Sequence, residues 1–221
     1  MVKKLFNILV FILIVGFLTS AESAFAFKSV TRDQIIYDAI EFSPAELQTY
    51  LRDNLAVVFG GVHFAERHQR RSYKVDPYDT EKIYEHLIKD LKAGKQDEFN
   101  TAHAFGVIAC FLAETISPDN YKTPSQFIAD YASYDGYHEI GDVKSHITGL
   151  IENYRIPGRK RMEKEVTELL YNVAVNEIVD FWVSAWQKSG CETGMFASAG
   201  KKISHRISFV DKKAADQQSA L

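Results

Sequence analysis

The chain has 221 residues with 26 basic and 29 acidic side chains, a net charge of −3, and 46% of its residues are apolar. That balance excludes a globally basic nucleic-acid binder and a disordered polymer, and the length suits one domain with a proper core. The two cysteines, Cys110 and Cys191, allow at most one intramolecular disulfide.

Met1-Val2-Lys3-Lys4 is a short basic start, Leu5 to Leu18 is apolar apart from Asn7 and Gly16, and Ala24-Phe25-Ala26 is an A-x-A pattern. This is the three-part build of a secretory signal peptide, with an apolar run short for a membrane span. Cleavage is expected after Ala26. The mature chain is then exported, periplasmic or extracellular, with no later segment apolar for long enough to form a transmembrane helix. Without Lys3, Lys4 and Glu22 it carries 24 basic and 28 acidic side chains, net −4, and has no specific nucleic-acid footprint.

Helix signals dominate from there on. Thr31-Arg32-Asp33-Gln34 reads as a capping box opening a helix to about Glu41, and Ser43-Pro44-Ala45-Glu46 as a second one opening a long helix through Leu47, Leu51, Leu55 and Val58. Gly60-Gly61 is the expected interruption before that helix continues to about Gln69. A third helix starts at Asp79 or Thr80 with Ile83, Leu87, Ile88 and Leu91 at amphipathic spacing, and stops at Gly94. The fourth spans Asn100 to Pro118. Thr123-Pro124-Ser125-Gln126 caps a short fifth segment, the sixth runs from about Tyr137 to Tyr154, and the last from about Arg159 to Lys188. The expectation is a signal peptide over 1–26, a single all-α domain of six or seven helices over 27–190, and an irregular C-terminal tail over 191–221.

Two helical sets carry candidate chemistry. On the fourth helix, which has no Lys, Arg, Asp or Glu between Thr101 and Ala113, the residues His103, Cys110 and Glu114 fall on one side. Gly106 lies beside them and leaves room for a ligand or a crossing backbone. On the sixth helix, His138, Asp142 and His146 follow at spacings of four, so that His138 and Asp142 share a face and can chelate one cation. Each set is also readable as packing or surface pairing. Cys110 is open to three readings: an unpaired thiol, half of a disulfide with Cys191, or a metal thiolate. The basic runs Arg67–Lys74 and Arg155–Lys164 are either solvated surface or an attraction for anionic headgroups.

Taken together, these sets resemble the zinc-dependent phospholipases C and their single-strand-specific nuclease relatives. Phe27, exposed by cleavage, stands where the family has a zinc-binding aromatic residue. Arg32 lies nearest the place of a family histidine. Gly61-Val62-His63-Phe64-Ala65-Glu66 matches a Gly-x-x-x-x-Asp ligand motif with Glu66 as the carboxylate, and Tyr73 occupies a further histidine position. Gly106 through Glu114, followed by Ser117-Pro118, follows the frame Gly-x-x-x-His-x-x-x-Asp, with Cys110 for His and Glu114 for Asp. After Pro118 come Asp119 and Asn120 in place of a histidine. Tyr137-His138-Glu139-Ile140-Gly141-Asp142 matches an aromatic-His-x-x-x-Glu motif.

The resemblance implies an all-helical, phospholipase C-like fold. It also implies a zinc site reduced from three metals to one or two, with Phe27, Glu66, Cys110, Glu114, His138 and Asp142 as ligands. There the metal would generate hydroxide for attack on a phospholipid or other phosphodiester, with Glu114 orienting the nucleophile. The other reading is a catalytically silent member of that fold, acting as a binding or structural protein in the cell envelope.

Overall fold

The computed structural model describes residues 29–72, 77–93, 98–116, 131–154, 164–191 and 201–204. Seven helices fall within them: α1 Ser29–Phe42, α2 Ala45–Asp53, α3 Leu55–Ser72, α4 Pro77–Lys92, α5 Glu98–Ile116, α6 Val143–Tyr154 and α7 Lys164–Lys188. The chain is an all-α domain to which a small ribbon is added, β1 Tyr131–Ser133 paired antiparallel with β2 Lys202–Ser204. The signal-peptide stretch, Phe27, Tyr73 and the capped segment Thr123–Gln126 lie outside the described residues. Among the described residues no helix is long and apolar enough to cross a membrane.

The helix ends follow local chemistry that differs from the expected caps. Thr31 is buried inside α1 rather than capping it. Ser43 turns its hydroxyl back to the carbonyl of Ala39, at 2.9 Å, and Pro44 occupies the N-cap of α2. The expected break at Gly60-Gly61 falls instead at Asn54. Its side-chain amide donates to the Tyr50 carbonyl at 3.0 Å, closing α2. Its own carbonyl accepts from Val57 and Val58 and so opens α3. One residue thereby ends one helix and begins the next. The amphipathic α4 meets expectation more closely: Tyr84, Leu87 and Leu91 are buried, Glu85, His86 and Lys89 are exposed, and Lys89 and Lys92 sit in the last turn where the helix dipole favours cations.

α5 and α7 form the interior. α5 packs against α3 most extensively and also meets α1, α4, α6 and α7. α7 buries Tyr171, Val175, Ile178, Val179, Phe181, Trp182 and Val183. The indole N–H of Trp182 finds the Phe105 carbonyl at 3.0 Å, so this large ring is buried without an orphaned donor. At the other end of α7, the Tyr171 hydroxyl donates to Asp38 of α1, whose second oxygen accepts from Gln34 at 3.0 Å. Ala132 of β1 and Tyr134 just beyond it are buried, the latter stacked on Phe42 of α1 at 5.6 Å. Lys202–Ser204 belongs to the stretch expected to be an irregular tail. It is a strand because β1 offers it a ladder of backbone partners.

Candidate functional site

The geometry of the site begins with two glycines. A Cβ added to Gly61 of α3 would collide with the carbonyl oxygen of His103, and one added to Gly106 of α5 would collide with that of Val58. Each helix therefore presses its backbone onto the other at the other's glycine, a contact that any side chain would prevent. The room at Gly106 is filled by a crossing backbone. Downstream of the crossing, Glu66 lies five residues after Gly61, and Cys110 and Glu114 lie four and eight after Gly106. The crossing thus brings together three of the side chains expected to act as one site.

What they surround is Arg32, in the first turns of α1. Its Nη1 donates to Glu114 Oε1 at 2.9 Å, and its Nη2 lies 3.1 Å from Glu66 Oε2. The arginine side chain is 1% exposed, against 15% for Glu66 and 13% for Glu114. Burial by itself would lower the Arg32 pKa. Cys110, Glu114, Glu66 and Asp33 act the other way, and the net shift is upward, so the guanidinium is locked in its charged form. Nε makes no hydrogen bond among the described residues, so the cluster holds its cation chiefly by charge. His63 stands at the rim, exposed, with Nδ1 3.6 Å from Glu66. His103 is half-buried with its ring against Phe64, and burial lowers its pKa.

Cys110 is buried beside the guanidinium. Burial pushes its thiol up to about 12, although Arg32 pulls the other way, so the sulfur carries its proton at neutral pH. Cys191 lies just past the end of α7, and the two cysteines are not joined in a disulfide.

Arg32 stands between the two carboxylates expected to hold a metal. Both carboxylates face the guanidinium, the thiol is protonated, and among the described residues no three His, Cys, Asp or Glu side chains are grouped to hold one ion. A metal would have to displace Arg32 from between Glu66 and Glu114.

His138 and Asp142 were expected on one helical face. They do not share a helix, because α6 begins only at Val143. Asp142 is its N-cap: the carboxylate accepts the Ser145 amide at 2.7 Å and the Asp142 carbonyl accepts from His146 at 3.0 Å. Hydrogen bonds from the Ser145 side chain and then from its amide lower the Asp142 pKa. His138, 67% exposed, faces Asp180 of α7 at 3.4 Å. Neither residue belongs to the Arg32 cluster.

The stretch 133–140 is extended rather than helical because α7 supplies its hydrogen bonds. Asn172 accepts the Ser133 amide at 2.8 Å. Asn176 accepts that of Asp135 at 3.0 Å and donates to the Ser133 carbonyl at 2.9 Å. Asp180 accepts the amide of His138 at 3.1 Å, and Lys188 donates to the Ile140 carbonyl at 2.8 Å. Between them Ser184 takes the hydroxyl of Tyr84 at 2.7 Å. Four residues of helix advance about 6 Å and two of strand about 6.7 Å, so side chains every four positions keep pace with alternate backbone amides. Gly136, at φ 113°, lets the chain take one extra residue between Asp135 and His138 and still meet Asp180.

This polar stripe was not expected. Its signal is nonetheless in the sequence, as Asn172, Asn176, Asp180, Ser184 and Lys188 recurring every fourth residue along the largely apolar part of the helix from Asn172 onward. Comparison with protein-family models, with curated proteins and with solved structures finds no match to this chain.

Proposed function

We propose that this is an exported helical protein acting in the cell envelope by binding or by structure rather than by hydrolysis, built on a frame like that of the zinc-dependent phospholipases C. One observation carries the reading: a buried guanidinium stands between Glu66 and Glu114, the two carboxylates best placed to hold a metal and orient water. A nucleophilic water needs either a metal that lowers its pKa or a free base beside it. Here both carboxylates are ion-paired to a cation that cannot release a proton near neutral pH, and the neighbouring thiol is protonated.

The test is metal content and turnover together. The purified chain beginning at Phe27, loaded with zinc and desalted, is expected to retain under ~0.1 metal per chain by mass spectrometry. It is also expected to leave bis(p-nitrophenyl) phosphate and phosphatidylcholine vesicles uncleaved. Near-stoichiometric zinc with cleavage abolished by a chelator would overturn this reading and restore metal-assisted phosphodiester hydrolysis.

A further inference from the structure

We draw no further inference here: the strongest candidate outside the site already described, the side-chain pair of His138 and Asp180 where the extended segment meets α7, sets an exposed imidazole on a buried carboxylate, but Asp180 holds the backbone of that segment and nothing in the structure points to a ligand.

Discussion

Two regions of this molecule bury polar groups, and they do so by opposite means. At the crossing of α1, α3 and α5, full charges are gathered beside a neutral thiol: one guanidinium and two carboxylates. Along α7, the groups are mostly neutral side chains matched to backbone amides and carbonyls of the segment 133–140. The first arrangement is strong only while it is complete. Each member was taken out of water against a large desolvation cost and is compensated by the others. The second is a series of separate bonds, and losing one leaves the rest in place. Removing single members of each region is therefore the way to measure the difference.

The largest effect is expected from Arg32→Ala. It leaves Glu66 and Glu114 facing each other beside a buried thiol with no cation, a loss of about 3–5 kcal/mol for breaking a buried ionic group by removing one partner. Urea unfolding followed by circular dichroism measures it. If charge balance is the cause, the triple replacement Arg32→Met, Glu66→Leu, Glu114→Leu recovers most of the stability that Arg32→Ala loses. A triple variant as unstable as the single one would show that the cluster matters for its shape instead. Arg32→Ala can also be loaded with zinc. Uptake by the variant and not by the parent chain is expected if the guanidinium is what excludes the ion.

Next comes the crossing itself. Gly106→Ala and Gly61→Ala each drive a methyl group into a backbone carbonyl, which cannot move aside as a side-chain end can. The expected loss is about 3 kcal/mol, at the upper end for overpacking, read from the same unfolding curves. Gly60→Ala, one residue away with nothing near its added Cβ, is the control and gains stability slightly through helix propensity. Equal effects at 60 and 61 would mean that α3 and α5 are not pressed together in solution.

Along α7 the expected losses are smaller and local. Asn176→Ala orphans the Asp135 amide and the Ser133 carbonyl, for about 2 kcal/mol, and Asn172→Ala orphans one amide, for about 1 kcal/mol. Hydrogen exchange should show faster exchange at residues 133–138 in either variant, while α3 and α5 keep their protection. Loss of protection throughout the molecule would make the stripe as cooperative as the ion cluster and erase the contrast between them.

The same contrast explains what the sequence disclosed. The all-α domain was legible because apolar residues recur at helical spacing over long stretches, as in α4 and α5. Of Glu66, Cys110 and Glu114, spacing put only Cys110 and Glu114 on one face of α5, and the expectation that Glu66 joins them came from the resemblance and not from periodicity. What fills the space between them was not legible. Arg32 sits in the opening turns of a short helix, and nothing local says that its long side chain turns inward across two other helices. The stretch 137–142 misled for a different reason. His138 and Asp142 carry a helical spacing, but the hydrogen bonds that decide its conformation come from Asp180 and Lys188, more than 40 residues away. Local periodicity cannot report a backbone satisfied by a distant side chain.

The last expected effect is a dependence on pH centred on α7, which His103, its pKa lowered by burial, opposes in part. His146 Nε2 lies 2.7 Å from Glu177, and the hydrogen bond to that carboxylate raises the His146 pKa despite partial burial. A histidine whose pKa is raised by folding stabilises the fold fully below its unfolded value near 6.5, and that contribution is lost as pH rises through the folded value. Asp180 is raised to about 7, first by burial and further by Glu177 and Asp135, while the bond from the His138 amide and the His138 charge oppose the shift. The folded state therefore holds the Asp180 proton more tightly than the unfolded chain does. Its advantage is present at acid pH and declines as pH rises from about 4 towards 7. Both groups act in one direction, so stability in urea should fall between pH 5 and pH 8. The His146 part is under about 1 kcal/mol, since solvent reaches the pair. His146→Gln should remove the later portion of that slope. Asp180→Asn should remove the earlier portion, because Asn still accepts the His138 amide but has no proton to lose. The Arg32 cluster supplies the internal comparison: its guanidinium does not titrate in this range, so the arginine contributes no slope of its own. A flat profile in the parent chain would mean that folding does not shift these groups, and a slope kept in the double variant would place the titrating groups elsewhere in the molecule.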